Sequence, residues 1–182
     1  MPHQAPPTPT THLVVMGVSG SGKTTVAALL AERLGWPAAE ADDFHPAANI
    51  SKMAAGTPLD DADRWPWLAT LREWMDDHGG TAGGTVVTCS ALKRSYRDVL
   101  RQGTGVVRFL HVDADAALLA RRLGQRLDHF MPDTLLASQL ATLEPLEPDE
   151  DGITLANDTT PGDLADRAIT RLHLAPTATT RP

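Results

Sequence analysis

The segment GVSGSGKT, residues 17–24, constrains this chain more than any other stretch in it. It meets the pattern G-x-x-x-x-G-K-[ST] at Gly17, Gly22, Lys23 and Thr24. An apolar run, HLVVMGV (12–18), leads into it. A segment with Val26, Leu29, Leu30 and Leu34 on one helical stripe follows and stops at Gly35. A strand that turns through such a loop directly into a helix is the first half of a parallel α/β unit, so the loop dictates a layered fold as well as a ligand. The physics is local. Glycines let the backbone curl until successive N–H groups converge on phosphate oxygens, and the helix N-terminus adds a favourable dipole. Gly17, Val18, Ser19, Gly20, Ser21, Gly22, Lys23, Thr24 and Thr25 form the expected nucleotide cradle. Lys23 is placed to bridge the β- and γ-phosphates, and the Thr24 hydroxyl to ligate Mg²⁺.

The rest of the chain reads as alternating strands and helices. TVVTCSA (85–91) and VVRFLHV (106–112) are apolar without alternation, as strands are when helices cover both faces of a parallel sheet. GITLA (152–156) reads as a last strand. RSYRDVLRQG and DAALLARRLGQRL read as helices, and Thr160 with Pro161 suits the cap and first position of a closing one. In DRWPWLATLREWMDDHGG (63–80), Asp63 is the expected cap, Pro66 falls in the first turn, and Trp67, Leu71, Trp74 and Met75 share a face. GGTAGGT (79–85) reads as a flexible loop, and TLEPLEPDE (142–150) as an acidic, Pro-broken loop with no chemistry. The expected fold is a three-layer α/β domain of the P-loop NTPase type, a parallel sheet of about five strands with helices on both faces. It spans 13–174, between a Pro/Thr-rich arm (1–12) and a tail (175–182) that are expected to be disordered.

Charge and cysteine content narrow the class. The net charge is −7 with no basic block, which speaks against a nucleic-acid partner. No apolar run is long enough to cross a bilayer, and the first twelve residues lack the apolar core of a signal peptide. Cys89, the single cysteine, lies in an apolar strand and reads as a buried small hydrophobe, which fits a reducing cytoplasm. Of the 16 basic residues only Lys23, Lys52 and Lys93 are lysines, and all three fall inside the motifs discussed here.

A phosphate loop alone leaves GTPases, ATPases and small kinases open. A GTPase needs Asp-x-x-Gly at a strand end and Asn-Lys-x-Asp for guanine. D-x-x-G occurs at DDHG (76–79) and the overlapping DHGG (77–80), on the tail of an amphipathic helix, and at DEDG (149–152), ahead of a strand and not at its end; no N-K-x-D exists. TVVTCSA also ends without the acidic residue that usually steadies the magnesium water shell, a duty open to Glu40 or Asp42 after the second strand. A small kinase is what remains.

Several blocks, taken together, resemble the gluconokinases among the P-loop small-molecule kinases. They are GVSGSGKTT, EADDFHPAANISKMAAGTPLDDADRWPWL, CSALKRSYRD, HFMP and SQLATLEPLEPDE, in that order, spanning Gly17 to about Pro161. The resemblance implies ATP-dependent phosphorylation of D-gluconate on its 6-hydroxyl, in a cytoplasmic homodimer with a mobile lid at about 122–136. Glu40 stands where some members have Asp, and the family pattern does not explain the Pro/Thr arm. Alternatives are a shikimate kinase-like enzyme or, from another class, a nucleotide-sensing module without turnover.

On this reading DDFHPAANISKM (42–53) seats the acceptor. Asp42 is expected to orient the reacting hydroxyl and accept its proton. His45 either hydrogen-bonds the sugar acid or shapes the turn before Pro46. A sugar acid needs a cation for its carboxylate, and the candidates are Lys52, Arg64, Lys93, Arg94 and Arg97, with Arg64, Arg97 and Lys52 foremost. Arg122 and Arg126, four apart on one helical face, are the expected lid arginines that neutralise the triphosphate; His129 falls at the lid tip and is included among the substrate contacts.

Overall fold

The computed structural model describes residues 9–125 and 133–176. Among them, five strands form one sheet: β1 (Thr11–Met16), β2 (Ala38–Glu40), β3 (Gly84–Thr88), β4 (Val106–Asp113) and β5 (Gly152–Ala156). The helices are α1 (Lys23–Leu34), α2 (Ala47–Ala54), α3 (Asp61–Ala82), α4 (Arg94–Leu100), α5 (Ala116–Gln125), α6 (Asp133–Thr142) and α7 (Pro161–Arg171). The sheet order is β2-β3-β1-β4-β5, with every pairing parallel. This is the expected three-layer α/β architecture.

β1 lies at the centre, and its side chains alternate between two cores. Val14 and Met16 pack with Trp67, Leu68, Leu71 and Met75 of α3 and Tyr96 and Leu100 of α4. Leu13 and Val15 pack with Val26, Leu30 and Leu34 of α1 and Leu164, Ala165 and Ala168 of α7. Each fully buried leucine or valine contributes about 1.5–3 kcal/mol. Two-sided burial therefore favours apolar residues at every position, which is why these strands read as unbroken runs. β1 feeds α1 and β2 on one side, while β4 lies on its other side. The crevice at the carboxyl ends of β1 and β3 is the place where such a sheet binds ligands.

Several local expectations are corrected by the structure. Thr11, assigned above to a disordered arm, and His12, counted both in that arm and in the apolar run 12–18, belong to β1. Thr11 pairs with Gly84 and Val106, and the buried His12 shares a 2.9 Å hydrogen bond between Nδ1 and Thr85 Oγ1. Composition misses them because their anchorage is main-chain pairing on both sides rather than apolar bulk. Residues 1–8 and 177–182 lie outside the described residues. The α3 cap is Asp60, with Asp63 at the third helical position closing a reciprocal capping box. Pro66 is accordingly the sixth residue of α3, beyond the first turn. GGTAGGT is no loop, since α3 runs to Ala82, ends on Gly83, and β3 begins at Gly84.

Candidate active site

The phosphate loop joins β1 to α1 as expected. Gly17 is at φ 141°, and a Cβ there would meet Val112 O at 2.8 Å; Gly22 is at φ 100°, and a Cβ there would meet Asn157 Nδ2 at 2.9 Å. No side chain caps the N-terminus of α1 and no acidic residue sits in its first turn, so its leading N–H groups stay available to an anion. Lys23 Nζ donates to Val18 O at 2.9 Å, folding the ammonium over its own loop. The Thr24 hydroxyl donates to Glu40 Oε2 at 3.3 Å, and the Thr88 hydroxyl at the end of β3 donates to the same oxygen. Glu40, rather than Asp42, is thus the carboxylate that touches Thr24. These hard oxygen donors fit Mg²⁺, which keeps several of its waters and needs few protein ligands.

Three distant side chains hold the loop itself. Arg122 Nη1 donates to Gly20 O at 3.2 Å, Asn157 Nδ2 donates to Ser21 O at 2.6 Å, and Ser19 N donates to Gln139 Oε1 at 2.7 Å. Arg122 therefore reaches the phosphate loop from α5. Arg126 and His129 lie outside the described residues.

Beside the loop opens a cavity of about 620 Å³ that also admits Asp42, His45, Arg64, Lys93 and Tyr96. The stretch 42–53 is built from a 3-10 turn (Ala41–Phe44) followed by α2. The turn leaves the Asp42 side chain 90% exposed at the mouth of the cavity, while His45 is buried with Nε2 3.8 Å from Asp42 Oδ1. The His45 ring stacks on Trp67 at 4.1 Å, and its Nδ1 meets Asn49 Nδ2 at 3.3 Å. Burial pushes the His45 pKa below its ordinary value, with Asp42 opposing and Arg64 adding to the fall. A neutral imidazole at pH 7 follows. His45 closes the turn, its backbone N–H donating to Asp42 O, and it also lines the cavity.

The candidate cations separate clearly. Arg64 lines the cavity, donates from Nε to Leu59 O at 3.3 Å, lies 5.3 Å from the centroid of Tyr96, and makes no ion pair among the described residues. Lys93 lines it too but is paired with Asp61 at 2.8 Å, and Tyr96 donates to the same carboxylate oxygen at 2.6 Å. Those two hydrogen bonds, from Lys93 first and then Tyr96, hold the Asp61 carboxyl below its usual range. Lys52 is absent from the cavity wall. It pairs with Asp63 at 2.6 Å, tying α2 to the first turn of α3.

Arg97 is a correction. Its guanidinium is fully buried and grips Glu150 through two hydrogen bonds, with further donations to Ala91 O, Glu144 O and Pro145 O. The two-pronged carboxylate grip expected of it exists, but the carboxylate is internal. The acidic segment read as having no chemistry supplies that partner. It also supplies Asp149, which takes two hydrogen bonds from Arg94 and has its carboxyl lowered to about 2 by them. Cys89 touches the cavity wall, and burial raises its thiol to about 12, which keeps it inert as expected.

Sequence reasoning missed Gln139, Asn157, Asp61 and Tyr96. For Asn157 a signal existed, since it follows β5 at the carboxyl edge of a parallel sheet. For Gln139 the signal was only its place in the block SQLATLEPLEPDE, because a lone glutamine on a helix otherwise reads as ordinary surface.

A family model described as an AAA domain matches residues 13–146. The chain is 51% identical over 157 residues to the gluconokinase of Gluconobacter oxydans (strain 621H), covering 86% of this chain and 88% of that one. Among solved structures it is similar to an unliganded sugar kinase from Janibacter sp. HTCC2649, with 55% identity, a TM-score of 0.89, and coverage of 95% of this chain and 100% of that one. It is also similar to a gluconokinase from Sinorhizobium meliloti 1021, with 40% identity, a TM-score of 0.78, and coverage of 91% and 93%.

Proposed function

The chain belongs to the gluconokinase family, and from that premise we propose that it transfers the γ-phosphoryl of ATP to the 6-hydroxyl of D-gluconate, giving 6-phospho-D-gluconate and ADP. One observation carries the reading at the level of the site. A nucleotide loop, a pair of basic side chains and a carboxylate line a single cavity: Lys23 and Thr24, Arg64 and Lys93, and Asp42.

Phosphoryl transfer asks a protein for position and charge neutralisation more than for covalent chemistry. The gluconate carboxylate takes the Arg64 guanidinium, which has N–H donors to spare, while Lys93 stays poised by Asp61. This sets the far end of the hexonate, carrying the 6-hydroxyl, toward Asp42 and the loop. As the bond from that oxygen to phosphorus forms and the β–γ bridge breaks, Asp42 accepts the hydroxyl proton and the bridging electrons leave on ADP. Lys23 moves from Val18 O to the β/γ oxygens, and Arg122 adds charge from the lid side. Thr24, with Glu40 beside it, would hold Mg²⁺, which would neutralise phosphate charge. Arg126 and His129 keep their assigned lid and substrate places as part of the proposal.

The proposal extends to a cytoplasmic homodimer. Among the described residues no helix is long and apolar enough to cross a membrane, and the Cys89 thiol is buried. Sedimentation velocity at micromolar concentration tests the dimer. The activity is tested by ADP release with ATP and Mg²⁺ against gluconate, shikimate and nucleoside monophosphates. Gluconate alone is expected to support fast turnover; turnover on another acceptor with none on gluconate overturns the reading.

A further inference from the structure

The three side chains that hold the phosphate loop do so in two different ways. Arg122 and Asn157 donate to the carbonyl oxygens of Gly20 and Ser21, groups that a phosphate does not use. Gln139 instead accepts from the Ser19 N–H at 2.7 Å, from α6 and 120 residues along the chain. An N–H of this loop is the type of group that phosphate oxygens seek. The contact also orients the amide. Ser19 N–H is a donor and can bond only the oxygen arm of Gln139, so Oε1 is committed and Nε2 keeps two donor hydrogens. Gln139 lines the same cavity as Lys23, Asp42 and Arg64. The other α6 residues on that wall, Leu135, Ser138 and Thr142, are apolar or bear a hydroxyl. The N-terminus of α1 at Lys23 is uncapped and free of acidic residues, as suits the inner phosphates of a nucleotide. Gln139 is bonded to the loop at Ser19, four residues upstream, and lines the same cavity as the acceptor candidates Asp42 and Arg64.

We propose that Gln139 binds the γ-phosphoryl group: Oε1 on the Ser19 N–H fixes α6 to the loop, and Nε2 donates to a γ-oxygen through transfer. The bond needs no movement of the amide, which is the form of stabilisation that costs least at the moment of reaction. It also makes the cavity distinguish ATP from ADP by a neutral donor, beside the cations of Lys23 and Arg122.

The inference rests on the kinase reading above, and the binding arm of its test contains no acceptor, so a wrong acceptor and a wrong role for Gln139 fail differently. The full chain is titrated calorimetrically, with Mg²⁺, against a non-hydrolysable ATP analogue and against ADP. Gln139→Glu keeps an oxygen for Ser19 N–H and so keeps the α6 anchor and the melting temperature, but it offers no donor. Gln139→Leu removes both arms without adding charge. Both variants are expected to bind the analogue roughly tenfold more weakly while ADP affinity changes less than about twofold, the loss of one hydrogen bond to a charged group. With gluconate, kcat is expected to fall in both while KM for gluconate holds. Wild-type analogue binding and kcat in Gln139→Glu would reduce Gln139 to an anchor. Equal weakening of ADP would place its contact away from the γ-phosphoryl, and tighter analogue binding by Gln139→Leu would mean that Oε1 competes with phosphate. Each of these results overturns the proposal.

Discussion

Arg97 and Glu150 form a fully buried two-pronged ion pair, Nε to Oε1 at 2.6 Å and Nη2 to Oε2 at 2.8 Å, across 53 residues of sequence. The pair joins α4 to the segment that leads into β5, and Glu150 Oε2 also accepts from Glu147 N at 2.9 Å. Removing one partner leaves an uncompensated charge in the interior, which costs about 3–5 kcal/mol. Arg97→Met and Glu150→Gln are each expected to lower the melting temperature by on the order of 10 °C in a domain of this size. Below that temperature KM for gluconate should stay near wild type. A variant that melts normally but loses gluconate affinity would return Arg97 to the substrate.

Acid should unfold the wild type partly through the same pair. Burial by itself raises the Glu150 carboxyl, but the Arg97 guanidinium and the Glu147 N–H outweigh it and hold the carboxyl below its ordinary value. A group depressed in the folded state adds stability above its unfolded pKa and loses it as pH falls through the folded one. Melting curves of wild type and Glu150→Gln should therefore converge as pH falls below about 4. A constant gap between them down to pH 3 would contradict this account.

Arg64→Ala is expected to raise KM for gluconate by roughly 10- to 100-fold, matching about 1.5–3 kcal/mol for a lost charge-assisted hydrogen bond. Lys52→Ala, off the cavity wall and bound to Asp63, should shift KM little. Steady-state kinetics of the two variants side by side decide between the cations. A large KM effect at Lys52 with none at Arg64 would reverse the assignment.

Asp42→Asn keeps the shape of the turn and removes the proton acceptor. The expected result is a fall in kcat of about 10²-fold or more, with nucleotide affinity by calorimetry close to wild type. Turnover within a few-fold of wild type would move the base elsewhere.

Deleting residues 1–12 should destabilise the domain, because it removes Thr11 and His12 from the central strand. Thr11 N donates to Gly83 O at 3.1 Å and Val106 N donates to Thr10 O at 2.8 Å, and both bonds are lost with the deletion. The cost is about 1–3 kcal/mol. An unchanged melting temperature would show that β1 does not need its first two residues.

Whatever depends on neighbours in sequence was legible in advance. GVSGSGKT specifies its own backbone curl and the open N-terminus of α1, and the apolar runs declare strands covered on both faces, so the fold, the nucleotide cradle and Asp42 at the end of β2 could be read directly. The boundary at Thr11 and His12 could not, because main-chain pairing with β3 and β4 leaves no mark on composition. The fate of the cations was equally hidden. Arg64 and Arg97 carry the same guanidinium in neighbouring motifs, and one faces the cavity while the other is buried, because Glu150 arrives from 53 residues away. Gln139 and Ser19 meet across 120 residues. A charge or an amide takes its role from the partner that folding delivers, and that delivery is set by the tertiary packing that brings α4 beside the segment before β5 and α6 beside the phosphate loop rather than by any local run of residues.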